Sequence, residues 1–298
     1  MTGSFGERLI EHVERAGSAV AIGVDAHLDR LPGPAPRTVA EAADTVARYF
    51  AEVLELARPH ACAVKFQLAF FEALGVPGWQ AYEVLLAKAR ALGLLTIADA
   101  KRGDIGSTSA AYARAHLARE SLPGIANPLC ADAITLSPYL GGDGLAPFVE
   151  TAAREGAGLF VLVKTSNPGS ADFQDLVTAA GEPVYERVAR RLVEWGAPHR
   201  GAARYGPVGA VVGATHVGLA RTLAPLLVDV PKLVPGYGEQ GGRAEELAGW
   251  FDADGHGALV PVSRSLAFAG HGTRDWQGAV ARAARDIARD VDRARGRT

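Results

Sequence analysis

Apolar and polar positions along the 298 residues alternate between two kinds of segment. Short, largely apolar runs occur at 18–24, 61–66, 94–98, 133–136, 158–163, 208–213, 232–234 and 258–262. Between them lie longer stretches whose apolar residues recur every three or four positions, at 39–57, 79–92, 109–119, 144–154, 184–195, 217–226, 243–251 and 275–293. The first pattern predicts buried strands and the second predicts helices with one covered side. In 39–57, for example, Val39, Ala42, Val46, Tyr49, Phe50 and Val53 share a stripe. Strands that are apolar throughout belong to a parallel sheet covered by helices. Eight strand–helix units predict an α/β fold, a closed (β/α)8 TIM barrel. A doubly wound open sheet is the alternative. One domain over residues 1–298 is expected, with a short N-terminal helix ahead of the barrel and a helix at its C-terminal end.

In such a barrel the C-terminal ends of the strands converge on one face. The polar residues that fall there are Asp25, Lys65, Asp99 with Lys101, Ser137, Lys164 to Asn167, Thr215 with His216, the 236–242 stretch, and Ser263 with Arg264. The densest is 99–108, Asp-Ala-Lys-Arg-Gly-Asp-Ile-Gly-Ser-Thr, where a strand gives way to a loop and a helix. In extended backbone, residues two apart point to the same side, so Asp99 and Lys101 should project together. Asp104 lies beyond them in a glycine-bracketed loop, and the implied constellation is one ammonium between two carboxylates. A solvated ion-pair cluster could have the same sequence. Against it stands the use of lysine: of 31 Lys and Arg residues only Lys65, Lys88, Lys101, Lys164 and Lys232 are lysine. An ammonium gives up a proton far more readily than a guanidinium, which suits a proton donor held beside anions.

Two stretches are candidate phosphate cradles. One is 235–242, Pro-Gly-Tyr-Gly-Glu-Gln-Gly-Gly, and the other is Val262-Ser263-Arg264-Ser265. They follow the seventh and eighth strands, the usual phosphate position of this barrel. The loop 165–181 is longer than most strand-to-helix connections, and such loops are more often functional. Lys164 at its start is either catalytic or paired with a carboxylate.

Net charge and composition narrow the alternatives. A charge of −2, with Lys and Arg spread along the chain, does not point to a nucleic-acid partner. Cys62 and Cys130 lack metal-ligand spacing, so buried reduced thiols and a cytoplasmic location are expected. No P-loop is present, and the glycines at 206, 209 and 213 lie within a strand instead of opening a helix. None of the eight histidines belongs to a His-Glu-x-x-His pattern, and no serine has a nucleophile-elbow setting. Glu7, Glu11 and Glu14 interrupt the N-terminal segment, and no apolar run reaches about 18 residues. Neither a signal peptide nor a membrane partner is expected.

The 99–108 stretch resembles the signature of the orotidine 5′-phosphate decarboxylase family. Val64-Lys65-Phe66-Gln67, the 137–143 segment Ser-Pro-Tyr-Leu-Gly-Gly-Asp, the 164–169 segment Lys-Thr-Ser-Asn-Pro-Gly, Val212-Gly213-Ala214-Thr215 and 235–242 extend the likeness. They are similar to the branch found in actinobacteria and related bacteria, type 2. The resemblance implies decarboxylation of orotidine 5′-monophosphate in pyrimidine biosynthesis, with no metal or cofactor. By the same resemblance Lys101 protonates the C6 carbanion and Asp99 faces the departing carboxylate. Asp104 and Thr108, with Ile105 beside them, reach into the neighbouring site of a homodimer with shared active sites. Lys65 and Asp25 hold ribose hydroxyls and the charge network, and Ser166 contacts the pyrimidine. Gln240, Tyr237 and Arg264 hold the phosphate, with Pro235 and Ser263 in the same cradle. Ser263 is a departure, since other branches often have glycine there. Two alternatives share parts of this pattern: a magnesium-dependent sugar-phosphate decarboxylase with the same Asp-x-Lys-x-x-Asp motif, and a noncatalytic nucleotide-binding barrel. The 105–108 continuation and the intact Asp99, Lys101 and Asp104 set favour the pyrimidine enzyme.

Overall fold

The largely apolar runs become the staves of a barrel. The computed structural model describes residues 3–238 and 244–297. Its strands are β1 (Val20–Val24), β2 (Ala63–Gln67), β3 (Leu95–Arg102), β4 (Glu120–Leu122), β5 (Ile125–Ala126), β6 (Ala133–Leu136), β7 (Gly158–Lys164), β8 (Val208–Val212), β9 (Lys232–Leu233) and β10 (Ala258–Val262). Eight of them pair in parallel around a closed barrel in the order β1, β2, β3, β6, β7, β8, β9, β10, and Val20 of β1 meets Val260 of β10 to complete the ring. Closure excludes the open-sheet alternative. β4 and β5 form a separate antiparallel hairpin that the apolar pattern did not predict. Its Leu122 and Ile125 stand exposed, so no buried face marks it; only Pro123-Gly124, with Gly124 at φ 75°, signals the turn.

The helices match the predicted pattern, with shifts at their ends. Val39–Ala57 coincides with its prediction, and the Thr38 hydroxyl accepts the Glu41 N–H at 3.1 Å as N-cap. Gly75–Ala91 starts four residues earlier than predicted, because Pro77 sits in the first turn, where its missing N–H costs nothing. The predicted 217–226 helix is only Leu219–Leu223, followed by a 3-10 turn, Ala224–Leu226, around Pro225. Ala244–Ala248 is a short helix, and the predicted start at Arg243 lies outside the described residues. The final helix, Trp276–Ala294, begins at Asp275, whose carboxylate accepts the Gly278 N–H.

The foot of the barrel is tied shut. The N-terminal helix, Phe5–Ala16, is capped reciprocally by Ser4 and Glu7 and buries Phe5, Leu9 and Val13. The Phe5 ring meets Phe160 edge-on at 5.9 Å, and a Cβ at position 158 would lie 2.5 Å from Phe5, so Gly158 is what lets the helix close in. Arg8, almost fully buried, pairs with Asp132 ahead of β6. Asp132 in turn accepts the Thr96 N–H at 2.9 Å and its hydroxyl at 2.8 Å, joining the starts of β3 and β6.

At the opposite end β3 departs from regular geometry. Ala98 pairs with Ile134 and Arg102 with Leu136, so β3 advances four residues while β6 advances two. Inside this bulge Lys101 has φ 48°. A left-handed non-glycine residue costs about 1–2 kcal/mol and persists only where its surroundings impose it.

His116, on the helix Gly106–Leu117 that follows the bulge, is buried, and burial pushes its imidazole down to about 4, aided by the nearby Arg102. The unfolded chain, with an ordinary value near 6.5, takes up this proton first as the pH falls. The contribution of His116 is therefore fully present above pH ~6.5 and is lost on acidification towards about 4, by up to roughly 3 kcal/mol. Urea titrations of His116→Leu and the parent chain between those pH values should show a flatter stability profile for the variant; parallel profiles would rule out this source of acid sensitivity.

Candidate active site

A cavity of about 220 Å³ opens at the C-terminal ends of the strands. Nine of the predicted site residues line it: Asp25, Lys65, Asp99, Lys101, Ser166, Pro235, Tyr237, Ser263 and Arg264. Asp104, Ile105 and Thr108 do not. Gln240 lies outside the described residues.

Asp99, near the end of the regular part of β3, is the centre of the charged wall. Its Oδ1 accepts from Lys101 Nζ at 2.6 Å and from the Thr135 hydroxyl at 2.8 Å. Its Oδ2 accepts from Lys65 Nζ at 2.7 Å and from Gln67 Nε2 at 2.9 Å. Burial by itself would raise the Asp99 carboxyl, but Lys65 and Lys101 more than offset it, and the group is held below the usual carboxylate range. For Lys65, burial opposes the charge, while Asp99 and then Asp25 restore it and push the ammonium upwards. Lys65 Nζ is 3.7 Å from Asp25 Oδ1, a buried atom with no hydrogen-bond partner among the described residues.

Asp99 and Lys101 do meet, as predicted, but not by simple strand alternation. The bulge and the left-handed Lys101 backbone intervene, and the Lys101 N–H donates to the Thr135 hydroxyl at 3.0 Å. One hydroxyl thus fixes both the carboxylate and the backbone of the lysine. Within one chain Lys101 meets Asp99 and not Asp104, and the ammonium between two carboxylates is Lys65, flanked by Asp99 and Asp25, so the charges alternate Asp25, Lys65, Asp99, Lys101. Asp104 turns elsewhere: its Oδ1 accepts the Ile105 N–H at 2.8 Å, and its carbonyl accepts the Ser109 hydroxyl at 2.6 Å. Ile105 is 58% exposed, and Thr108 is exposed one turn further on.

The rest of the rim comes from the later strands. Ser166 is the second residue of the long loop after β7 and lies against Gly213, where a Cβ would fall 3.0 Å from Ser166 backbone atoms. That loop contains a 3-10 turn, Pro168–Ser170, and a short helix, Ala171–Gln174. Lys164 is buried and outside the cavity wall. Its Nζ donates to Asp175 at 2.6 Å and to the Ser170 hydroxyl at 3.1 Å, which ties down the loop. The His216 ring adds a contact of 2.7 Å to the Thr165 carbonyl. After β9, Tyr237 lines the cavity with its ring, while its hydroxyl donates to Asp290 of the final helix at 3.0 Å. Burial, then Asp290, pushes that phenol up to about 12.

Gln67 and Thr135 had no role in the sequence reading. Gln67 was visible inside the Val-Lys-Phe-Gln segment, and Thr135 was the one hydroxyl in the 133–136 run. Both were legible as polar residues in buried strands, though not as partners of Asp99.

A sequence profile of the orotidine 5′-phosphate decarboxylase / HUMPS family matches residues 37–277. Orotidine 5′-phosphate decarboxylase of Rhodopirellula baltica is 42% identical over 271 residues, 89% of each chain. That of Deinococcus radiodurans is 41% identical over 270 residues, 90% of this chain and 91% of the relative. The crystal structure of a candidate orotidine 5′-phosphate decarboxylase from Streptomyces avermitilis superposes with a TM-score of 0.83 at 36% identity, covering 99% of this chain and 97% of that one. The chain therefore belongs to the orotidine 5′-phosphate decarboxylase / HUMPS family. It is a decarboxylase of pyrimidine biosynthesis built on a TIM barrel.

The double role of the Thr135 hydroxyl can be measured. Thr135→Val keeps the shape and removes both bonds, and hydrogen bonds to charged groups contribute about 1.5–3 kcal/mol. Chemical denaturation should show a loss of that order; a loss below about 0.5 kcal/mol would mean that the hydroxyl does not hold Asp99 in solution.

Proposed function

We propose that the chain converts orotidine 5′-monophosphate to uridine 5′-monophosphate and carbon dioxide, with Lys101 delivering the proton to C6. The observation that carries this reading is the fixed Lys101–Asp99–Lys65 charge array in the wall of a cavity at the barrel's catalytic end. Loss of carbon dioxide leaves a carbanion that the pyrimidine delocalises poorly, so stabilisation near the upper end of the enzymatic range, up to roughly 23 kcal/mol, is required. An ammonium already held in place at the carbanion needs no reorganisation as charge develops, and it is also the proton source. Asp99 keeps that ammonium oriented and stands beside the departing carboxylate. The positive charge that a metal supplies in other decarboxylases comes here from Lys101.

The remaining residues divide by ligand group. Asp25 Oδ1, buried without a hydrogen-bond partner among the described residues, suits a donor such as a ribose hydroxyl, next to Lys65. Ser166 meets the pyrimidine. Arg264, Ser263, Pro235 and Tyr237, which line the cavity, hold the phosphate; Gln240, outside the described residues, is given the same role by the family resemblance. Phosphate binding, remote from the reacting bond, drives closure over the base.

Asp104, Ile105 and Thr108 act in the partner's site of a homodimer. Their position on the loop and helix start after β3, away from the cavity of their own chain, with Ile105 and Thr108 exposed and Asp104 half-buried, supports this assignment. The chain works as one barrel domain. Its place in the branch found in actinobacteria is supported by the Streptomyces avermitilis likeness along nearly the full length. A cytoplasmic location is supported by two free cysteines, one of them, Cys62, fully packed.

Mixing the enzyme with orotidine 5′-monophosphate should remove the orotate absorbance, undiminished after exhaustive chelation, while Lys101→Ala remains folded and inactive. Turnover by Lys101→Ala would remove the proton-donor assignment, and loss in EDTA restored by magnesium would favour the sugar-phosphate chemistry. A second measurement addresses the shared site. Lys101→Ala and Asp104→Ala are each expected to be nearly inactive, but a mixed dimer has one site with neither defect. Random exchange makes about half of the dimers mixed, so recovery should approach roughly a quarter of wild-type activity per total subunit. No recovery after demonstrated exchange would place Asp104 in its own chain's site.

A further inference from the structure

Lys101 occupies a backbone conformation that a lysine does not choose unaided, at a point where the β3–β6 ladder is interrupted. Thr135 holds one side of this irregular stretch through the Lys101 N–H and Asp99. On the other side stands the carbonyl of Ala100, one residue before Lys101, which accepts a hydrogen bond from Arg102 Nη1 at 3.1 Å. The second nitrogen of the same guanidinium, Nη2, pairs with Glu72 at the end of the short helix Leu68–Glu72. The guanidinium also lies over the Tyr112 ring, 5.5 Å from its centroid. The ladder resumes at Arg102 itself, whose carbonyl accepts the Ser137 N–H at 2.9 Å.

We infer that Arg102, oriented by Glu72 and Tyr112, is a positioning residue that clamps the Ala100–Lys101 peptide and so sets where the Lys101 ammonium stands. The inference rests on Lys101 being the proton donor. Arg102 does not line the cavity and touches Lys101 only through the backbone. A guanidinium is suited to the task because its planar fork bonds a carboxylate and a carbonyl in fixed relative directions. A lysine at 102 would carry the charge but could not span both with that geometry. Without the clamp, Lys101 can relax towards an ordinary negative φ, which swings its side chain away from C6 while leaving the phosphate and ribose contacts intact.

This separates catalysis from binding. Misplacement of a reacting group by about 1 Å lowers rates on the order of 100-fold. Arg102→Met should therefore lower kcat by about that factor, with the dissociation constant of uridine 5′-monophosphate within about threefold of the parent. Arg102→Lys should recover little of the loss. A control for general destabilisation is Arg8→Met, which breaks the ion pair at the foot of the barrel and should lower Tm without lowering kcat at a temperature where it is folded. If Arg102→Met does not fold, Glu72→Gln tests the same clamp: the guanidinium stays but loses its anchoring charge, and kcat should fall several-fold with product binding unchanged. A kcat within twofold of the parent in the folded variant, or equal losses in kcat and product affinity, overturns the clamp. Should Lys101→Ala retain turnover, it is the proton-donor assignment that fails, a result distinct from an inactive Lys101→Ala beside a fully active Arg102→Met.

Discussion

A buried carboxylate that two ammonium groups share is the interaction on which the rest of this site depends. Asp99 has lost most of its water, and an isolated charge in that position would be neutralised or expelled. Four donors prevent this, two of them cationic. The dependence is mutual, since Lys65 is as deeply buried and would otherwise face Lys101 as a like charge across the cavity wall. The array is therefore assembled as a unit around Asp99, whose removal takes from both lysines their shared partner and leaves buried Lys65 with Asp25 alone at 3.7 Å. That rigidity makes a lysine useful as a catalyst, because its charge is fixed before the reaction begins.

Such a site conflicts with regular sheet structure. Ladder pairing would hold β3 in register with β6 to its end, whereas the observed Lys101–Asp99 contact has Lys101 turn back over Asp99. The barrel separates the two demands along its axis. At the foot, Arg8, Asp132 and Thr96 bind the starts of β3 and β6 to the N-terminal helix. At the rim, where strand ends are free to diverge, the same two strands lose register and Lys101 takes up its left-handed backbone. Order at one end carries the irregularity at the other.

How much of this was legible in the sequence depended on the range of the forces involved. The strand runs and helix stripes were readable because each reports its own burial. The hairpin of β4 and β5 was not, since its apolar residues remain in solvent. Lys101 and Asp99 could be paired from their spacing, and the family resemblance supplied roles for them. The left-handed turn between them could not be anticipated. One of the groups that hold it is Thr135, 34 residues further on, and nothing in the local 99–108 segment encodes a hydroxyl at that distance. Lys164 illustrates the same limit: its spacing left two readings open, and only the fold brought Asp175 and Ser170 to its ammonium.

The contact between β1 and the last strand loop has an evolutionary corollary. A Cβ at position 23 would stand 2.0 Å from the Ser263 hydroxyl, so glycine at 23 and serine at 263 fill a single space between them. The constraint runs one way: a smaller residue at 263 meets no obstacle, whereas any side chain at 23 meets the Ser263 side chain and, at 2.9 Å, its Cα, so substitutions at these two neighbours are non-additive. Gly23 and Ser263 are thus coupled through a shared volume, and what position 23 tolerates depends on what stands at 263.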